Sequence, residues 1–506
     1  MKQIFFIKRF SLSLVSILIC VSCSDSFLDV KVQGGVTTET DPNLAQNLVT
    51  GVYNSLLQGD SWGNGDVSGF AFVSATSIMS DDADKGSTPS DQAVPVGAMD
   101  DFTLTSTNKF CESLWAGHYN SIGAANQALA ALENAAIDND TKLQLKGEVK
   151  FLRGYLYFNL VRMYGAVPLV FRVPVDAADA NNDPAFQTRA AASVVYDSII
   201  SDFNYAVAHL KVKSATSIGH ATKGAAQGLL AKVYLYKQDW DKVVTLTDAI
   251  ITSGEYDLLS NYENIWRQEF DNSKESLFEI ETGEFNNSNF GVDNYTSPQG
   301  ARSGGKGGWN DLGWGFNNPS LSLINAYEPG DLRKAATVIF IDNSGTHKGT
   351  ILWDGFRIPS SDSVQNLYYN YKAYTSPLVE KYAIPSDKDR PKNIRILRYA
   401  DVLLMNAEAG FHNGQGDPDA KINLLRARAG LSPIVGATLD NILHERHVEL
   451  AMEHDRFWDV IRQGNAAQVF AAAGKTGFVT GKHELLPIPN SQILISGGKL
   501  TQNPNY

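Results

Sequence analysis

The feature that most constrains the fold is a predicted helical hairpin at residues 221–252, ATKGAAQGLLAKVYLYKQDWDKVVTLTDAIIT. In its first half, apolar residues recur at three- and four-residue steps, the period of one helix face. Asp239 is a good N-cap for a second helix, whose apolar face begins at Trp240. Two such helices cannot bury their apolar faces alone, so the chain needs similar hairpins stacked on this one.

Part of the hairpin matches the tetratricopeptide pattern. Leu230, Ala231 and Tyr234 occupy positions of that pattern, whereas its Trp and Gly positions are not matched. An ordinary helical hairpin outside any repeat array is the alternative interpretation of this stretch.

Composition limits the classes of function. The 506 residues include 43% hydrophobic and 19% charged residues, as in ordinary globular proteins. The 20 Tyr and 8 Trp favour binding surfaces. Residues 1–22 carry three cations and no acid, so their removal changes the net charge from −12 to −15. Because no basic stripe remains to hold phosphates, we expect no nucleic-acid partner.

The N-terminus has the pattern of a bacterial lipoprotein signal. Three basic residues precede an apolar run at residues 10–21, which is too short to span a bilayer. Cys23 follows this run after the small Ser22, and we predict that it is acylated and becomes the first residue. Cys20 follows the bulky Ile19 and is therefore the less suitable site. Cys111 is then left as a buried, free thiol without a disulfide partner.

Helical periodicity divides the chain into two helical regions around an insert. Besides the two helices of the 221–252 hairpin, helices are predicted over residues 42–56, 110–132, 141–164, 193–210, 399–411, 419–429 and 439–463. Residues 277–281 are a predicted strand. Nine glycines between 283 and 315 exclude a continuous helix there.

The predicted organisation has five parts. They are a signal peptide (1–22), a lipid anchor and tether (23–40), an N-terminal helical-repeat region (41–255), a loop-rich ligand-binding insert (256–395) and a C-terminal helical repeat with its tail (396–506). Within the tether, Phe27, Leu28 and Val30 favour a docked strip over a flexible linker.

Five stretches in order carry a resemblance to a known family. They are CSDSFLD at 23–29, FLR at 151–153 with LVRMYGAVPLV at 160–170, RYADVLLMNAEA at 398–409, the pattern ERxxELAxExxRFxDxxR at 445–462, and LPIP at 486–489 with LTQNP at 500–504. The chain resembles the SusD/RagB family of lipid-anchored nutrient-binding proteins of Bacteroidetes outer membranes. Gln463, where many members have Trp, is a minor departure.

The resemblance implies a mainly α fold, a superhelix of tetratricopeptide-like repeats with a large loop-rich insert that carries the ligand site. It also implies a non-enzymatic, cell-surface protein that captures an oligosaccharide, without a cofactor, and passes it to a SusC-like TonB-dependent transporter. Three alternatives stay open: a peptide-binding member, a tetratricopeptide scaffold without a small ligand, and a surface hydrolase.

Most charged positions of the 445–462 pattern are expected to be structural. Arg446 with Glu449, and Glu453 with Arg456, have the i,i+3 spacing of pairs on an exposed helix face.

Two possible metal-binding motifs are incomplete. His444 and His447 lack the spacing of a zinc protease motif, and the acidic stretch 80–86 lacks the last ligand of an EF-hand, so we expect a solvated capping loop.

The predicted ligand site is an aromatic platform in the insert. Flat indole rings cover the C–H faces of sugars, and nearby amides or acids bond the hydroxyls. Two tryptophans lie among glycines and amides near where family members have ligand-contacting loops. The candidate residues are Trp309, Trp314, Trp62, Asn310, Asp311, Asn317, Tyr369, Tyr371 and Arg302. The alternative for each tryptophan is that it packs its loop onto the core, as expected for Trp115 and Trp240 on their helices.

Replacement of Cys23 tests the anchor. We predict that Cys23→Ala leaves the protein unprocessed or misplaced, because the acylated thiol is the one strong membrane attachment that the sequence shows. Cell fractionation with immunoblotting measures both location and size, and Cys20→Ala is the matched control. A Cys23→Ala protein with wild-type size and outer-membrane level would show that Cys23 is not the anchor.

Overall fold

The computed structural model describes residues 41–57, 65–282, 293–303, 312–346, 348–380 and 392–506. Within these ranges, ten helices have eight residues or more, and we number them α1 to α10. They are Pro42–Ser55, Lys109–Glu133, Asn139–Tyr164, Ala192–His209, Lys223–Tyr236, Trp240–Ile251, Tyr399–Asn413, Pro418–Arg428, Leu439–Leu450 and Arg456–Gln463. The predicted mainly α fold is confirmed.

Shorter elements connect these helices. The short helical segments are Phe70–Val73, Ser74–Ile78, Ala93–Gly97, Ala98–Asp100, Ala177–Asn182, Pro184–Gln187, Lys213–Ala215, Tyr262–Trp266, Gln268–Phe270, Asp293–Gln299, Leu321–Ala326, Arg333–Thr337, Ala466–Ala472 and Asn490–Ile495. Eight short strands, β1 to β8, are Ala83–Gly86, Ser276–Ile280, Phe316–Pro319, Val338–Phe340, Thr350–Ile351, Arg357–Ile358, Tyr368–Asn370 and Ile394–Arg398.

The long helices form one continuous stack. Each helix from α1 to α6 packs against the next, as the helices of stacked hairpins do. α6 also packs directly against α7, although the whole insert separates these two helices in sequence. α7 contacts both α8 and α9. One large core therefore runs from Ala45 in α1 to Leu500 near the end of the chain. None of the described helices has both the length and the apolarity that a membrane crossing needs.

Helix ends follow the local sequence with one exception. Asp41 caps α1 by accepting a hydrogen bond from the Asn43 N–H at 2.9 Å, and Gly165 ends α3 with a φ of 71°. Asp239 precedes α6 as predicted, but its side chain makes no capping bond. Its carboxylate instead pairs with Lys242 at 2.6 Å, so the prediction of a capping side chain was wrong.

The predicted single helix at 439–463 is two helices, α9 and α10. Between them, Met452 and His454 have φ values of 63° and 72°, which an α-helix does not allow. The Met452 N–H donates to Asp82 Oδ2 at 3.1 Å, and His454 Nε2 lies 3.0 Å from the hydroxyl of Tyr295. Contacts from distant parts of the chain therefore hold the break, which the helical period does not reveal.

The strands form four antiparallel pairs. β1 pairs with β3, β2 with β8, β4 with β7, and β5 with β6. β2 confirms the predicted strand at 277–281, and its pairing with β8 places the start of the insert beside its end. A second core of aliphatic and tyrosine side chains, including Leu312, Ile358 and Tyr371, lies within the insert.

A buried ionic cluster joins the insert to the repeats, and we name it the Glu449 cluster. Its centre is Glu449 of α9, which is fully buried and accepts hydrogen bonds from Arg333 at 3.1 Å, Arg398 at 3.1 Å and Arg428 at 2.5 Å. Glu275 bridges Arg398 and Arg428 at 2.6 and 2.8 Å. Burial alone would raise the pKa of Glu449, but these guanidinium groups hold it well below its usual range.

The expected i,i+3 pairs of this motif are wrong. Arg446 is buried and binds Asp459 at 2.7 Å, and also Asp401, rather than Glu449. Glu453 binds Lys372 at 2.7 Å and Arg398 at 2.6 Å instead of pairing with Arg456. The motif is structural, as expected, but its charged groups pair with other elements because the faces of α9 and α10 that carry them are packed against the rest of the protein.

A second cluster, around Asp401, ties the helices to one another. Lys232 of α5 binds Asp401 of α7 at 2.7 Å and Asp455 at 2.5 Å. Arg162 of α3 reaches Asp455 at 3.3 Å, with its guanidinium 3.6 Å from the ring centre of Trp458. These charges are buried and mutually paired, so each requires the others.

We predict that Glu449→Gln lowers the free energy of unfolding by about 3–5 kcal/mol, the range for breaking a buried ion pair on one side. Urea denaturation at pH 7 measures it. Glu133→Gln is the control, because Glu133 is 66% exposed in its pair with Lys146 and such pairs contribute about 0–1 kcal/mol. Equal losses in the two variants would contradict the cluster's role.

The same variant should change the pH dependence of stability. A depressed carboxyl pKa stabilises the folded state above the ordinary glutamate pKa of about 4.3. That contribution is lost as the pH falls towards the folded-state pKa. The stability difference between wild type and Glu449→Gln should therefore stay nearly constant from pH 7 to about 5 and shrink as the pH is lowered further below about 4.3. A difference that already disappears between pH 7 and 5, or that does not shrink below about 4.3, would contradict the depressed pKa.

Candidate functional site

The candidate site is built on two segments of the insert that run side by side, 297–303 and 312–315. The Trp314 N–H donates to Ser297 O at 2.8 Å, and the Leu312 N–H donates to Ala301 O at 2.9 Å. A Cβ at Gly300 would lie 2.2 Å from Leu312 O, and a Cβ at Gly313 would lie 2.2 Å from Ser297 O. Glycine at both positions therefore permits this close approach of the two backbones.

Trp314 is partly buried at the edge of the main core. Its indole packs edge-to-face with Phe70, with 6.2 Å between ring centres. Phe70 is itself buried against Phe110 and Phe316. Phe70 thus holds the ring of Trp314 in place, while the residue remains partly exposed to solvent. Its position suits both a core-packing and a ligand-contacting role.

A polar cluster lies beside the Trp314 backbone. Arg302 pairs with Asp91 and donates to Ser87 Oγ at 2.6 Å, and it also reaches Trp314 O at 3.3 Å. The Ser87 hydroxyl donates to Asp91 Oδ2 at 3.0 Å. The Arg302 and Asp91 side chains are 29% and 26% exposed, so this neutral pair can reach a ligand.

Tyr369 supports this cluster from beneath. The residue is fully buried, and its hydroxyl bonds the backbone of Arg302 at 3.4 Å and accepts from the Asn366 N–H at 3.1 Å. Asn366 Oδ1 is buried and has no hydrogen-bond partner among the described residues. It lies 3.6 Å from where a Cβ of Gly315 would be, so an unused acceptor borders the Trp314 segment.

Other predicted contact residues lie elsewhere. Asn317 is fully buried in β3 and donates from Nδ2 to Gln299 Oε1 at 2.7 Å. Tyr371 is buried in the insert, and its hydroxyl accepts from the backbone N–H of the exposed Trp353 beside a separate cleft. Trp62, Trp309, Asn310, Asp311 and the anchor with its tether (residues 23–40) lie outside the described residues. The structure therefore brings Trp314, Arg302 and Tyr369 together, with Tyr369 in a supporting position.

Residue patterns give no indication of three members of the cluster. Ser87, Asp91 and Asn366 lie far from Trp314 in sequence, in stretches with ordinary loop composition. In the structure, Ser87 has a left-handed backbone with a φ of 53° just after β1, which pairs with β3. Long-range strand pairing of this kind is not visible in residue spacing.

The acidic stretch 80–86 is not the solvated loop that was expected. Asp81 and Asp82 are 2% and 1% exposed. Arg456 donates to both oxygens of Asp81 at 2.8 Å, and Asp82 lies 2.7 Å from His447 Nε2. The ligand atoms of Asp81, Asp82 and His447 are within 4.8 Å of one another, but Arg456 already neutralises Asp81, so the cluster fits a structural role better than a metal site.

Cys111 is buried and free, which confirms the expectation for this thiol. Burial raises its pKa well above the usual range. Its thiolate is therefore not accessible as a nucleophile.

Around Trp314, the arrangement offers an aromatic ring, a neutral ion pair and amide or hydroxyl groups, which suits binding of an uncharged polar ligand.

Two family models match successive parts of the chain. The model described as SusD family matches residues 263–506, and the model described as starch-binding associating with outer membrane matches residues 26–235. Together they include the repeats on both sides of the insert and the Trp314 segment.

Two relatives are similar to this chain over most of their length. SusD-like protein P2 of Formosa agariphila is 27% identical over 439 residues, which cover 81% of this chain and 83% of that protein. A SusD-like protein of Bacteroides ovatus is 28% identical over 394 residues, covering 71% and 67%.

Solved structures share the fold. A laminarin binding SusD-like protein superposes with a TM-score of 0.75 and 28% identity, covering 92% of this chain and 99% of that one. Surface glycan-binding protein A from Bacteroides thetaiotaomicron, in complex with laminarihexaose, superposes with a TM-score of 0.76 and 24% identity over the same shares.

Proposed function

The chain belongs to the SusD family, and from this premise we propose that it is a cell-surface lipoprotein without catalytic activity that captures glycans. The observation that carries the proposal is the Trp314 segment: the Trp314 ring packs on Phe70, and the Trp314 carbonyl lies 3.3 Å from Arg302 of the solvent-accessible Arg302–Asp91 pair. A sugar ring needs this combination of a flat apolar surface and hydroxyl partners.

We infer further that the ligand is an uncharged oligosaccharide. Among the described residues around Trp314, Arg302 is neutralised by Asp91 and the Lys85 ammonium donates to the Thr88 and Asp91 carbonyls, so both cations are already engaged and are poorly placed to select carboxylate or sulfate groups. The mature chain's net charge of −15 also disfavours anionic polymers. The laminarin-binding neighbour makes a neutral glucan the first ligand to test.

The remaining parts of the proposal concern location and delivery. Cys23 would carry the lipid that anchors the protein at the outer membrane, as its signal pattern predicts. The protein would then act as the hinged lid of a SusC-like TonB-dependent transporter and pass the oligosaccharide into the barrel. Family membership supports this role.

The alternatives have specific physical requirements. A hydrolase needs a carboxylic acid poised near a carboxylate across a cleft. Burial raises the pKa of Asp271 to about 6, but Asp271 is bound by Arg395 at 2.5 Å at the end of the β2–β8 pair. A scaffold without a small ligand would need no fixed, partly open tryptophan. A peptide-binding role is separated from the glycan role by screening both ligand classes.

We predict that Trp314→Ala and Trp309→Ala each weaken glycan binding several-fold, since a stacking aromatic contributes at least about 1 kcal/mol. The soluble mature chain is first screened on a glycan array, and the best glycan is then titrated by calorimetry. Trp314→Ala should also lower the melting temperature slightly, because the contact with Phe70 is lost.

Trp240→Ala is the matched control for both variants. Trp240 lies on α6 and stacks on His412 with 4.1 Å between ring centres, so its loss should affect stability and leave binding unchanged. If neither Trp309→Ala nor Trp314→Ala affects binding, the ligand lies elsewhere and Trp62 becomes the leading candidate. A wild-type protein that binds peptides and no glycan would overturn the proposal.

A separate prediction concerns the transporter. Affinity purification from the native membrane in mild detergent should recover a TonB-dependent transporter of roughly twice this chain's length. A lid of this kind needs an obligate-sized interface, more than about 2,000 Å² in total. Repeated recovery of the protein alone would favour a free scaffold.

A further inference from the structure

A second aromatic cleft lies in the insert, built from three segments that the Trp314 site does not use. It encloses about 480 Å³ and is lined by residues that include Asn264, Arg267, Gln268, Glu269, Trp353 and Val379. Sites for small ligands commonly have volumes of about 300–1,000 Å³. The cleft therefore has the size of a binding site for a few sugar units.

The indole of Trp353 is held by a cation–π sandwich. The Arg267 guanidinium lies 4.8 Å from the ring centre of Trp353 and 4.9 Å from that of Tyr371. The backbone N–H of Trp353 donates to the Tyr371 hydroxyl at 2.9 Å, which fixes the chain at this residue. The Arg267 side chain is only 6% exposed, whereas Trp353 is 40% exposed. One side of the indole is thus fixed, and a large part of the residue remains open to the cleft.

The walls of the cleft are fastened to one another. Glu380 accepts hydrogen bonds from the Gln268 and Ser376 N–H groups, each at 2.8 Å. Asp354 accepts from the Tyr374 hydroxyl at 2.7 Å and from the Phe356 N–H at 2.9 Å. A ligand would therefore meet a surface that needs little ordering, which favours binding.

Unused polar groups surround the indole. Among the described residues, the side chains of Asn264, Gln268 and Glu269 make no hydrogen bond, and Gln268 and Glu269 are exposed. Glu263 is instead occupied by Arg267 at 2.7 Å. Two amides and one carboxylate are thus available as donors and acceptors beside an aromatic surface.

The charges of the cleft decide between classes of ligand. A quaternary ammonium or lysine ligand would bind through a cation–π contact with the indole. The positively charged Arg267 already makes such a contact with Trp353 and would repel a second cation there. An apolar helix would leave the free amides and the Glu269 carboxylate without partners. Sugar C–H groups stack on an indole without competing for its charge, and sugar hydroxyls satisfy amides and carboxylates together.

We propose that the Trp353 cleft is a second saccharide-binding site, separate from the Trp314 site. This inference rests on the proposed function, because the class of ligand is the same. The two sites share the insert's core, which contains both Tyr371, a contact of Arg267 and Trp353, and Leu312 beside Trp314. One long glycan, or two chains, would then engage two rigidly connected platforms, which raises retention of polysaccharides above that of short oligosaccharides.

Fluorine NMR of the mature chain labelled with 5-fluorotryptophan tests the proposal. Trp353→Phe and Trp314→Phe assign the two resonances. The probes are laminarihexaose, maltohexaose, cellohexaose, xylohexaose and mannohexaose, with tetramethylammonium chloride as the cationic probe. We expect at least one hexasaccharide to shift the Trp353 resonance, and the shift to persist in Trp314→Ala.

Affinity electrophoresis in gels that contain laminarin, starch or mannan gives a second measurement. Trp353→Ala should lower retention by the bound polysaccharide about threefold or more, the scale of one lost aromatic contact and of reduced multivalency. Ile351→Ala is the control, because Ile351 is 58% exposed two residues away and does not line the cleft.

The outcomes separate this inference from the proposed function. A Trp353 resonance that no hexasaccharide shifts, while the Trp314 resonance responds, would overturn the second site and leave the proposed function standing. Silence of both resonances across the panel would count against both. A shift of Trp353 by tetramethylammonium and by no sugar would replace the saccharide with a cationic ligand and overturn the proposal.

Discussion

The buried carboxylate of Glu449 is the point on which the two halves of the fold depend. Three guanidinium groups, from Arg333, Arg398 and Arg428, share it in a region without exposed side chains. Arg333 belongs to the insert, whereas Arg398 and Arg428 border α7 and end α8. No member can be left alone without an uncompensated buried charge. The loop-rich insert is thus fixed to the helical repeats by electrostatics as well as by apolar packing.

This attachment explains how a glycine-rich region can present a rigid binding surface. Lys372, two residues beyond β7, is bound by Glu453 of the same ionic region. β7 carries Tyr369, whose hydroxyl bonds the backbone of Arg302. Arg302 in turn reaches the carbonyl of Trp314. A continuous set of bonds therefore leads from the cluster to the candidate platform, and the glycines allow close backbone contact there rather than looseness.

Local patterns predicted the helices well, because 3.6-residue periods, caps and stop signals are properties of neighbouring residues. The proline-led α1, the Gly165 stop and the strand at β2 are of this kind. The break between α9 and α10 was not predictable, because Asp82 and Tyr295 cause it from far away in sequence. For the site, composition identified Trp314 and Arg302. Composition did not indicate that Asp91 belongs to the site, and it did not indicate the Trp353 cleft. Both features are assembled by contacts between segments that are distant in sequence.

The two tryptophans show two solutions to one physical problem. An aromatic platform has to keep its ring still while leaving part of it open, since an exposed side chain that orders only on binding loses affinity. Trp314 meets this requirement by resting edge-to-face on Phe70 at the margin of the main core. Trp353 lies away from that core and meets it through Arg267, whose charge is balanced by Glu263. The Arg267–Glu263 pair thus fixes one aromatic ring, just as the Glu449 cluster fixes the whole insert to the repeats.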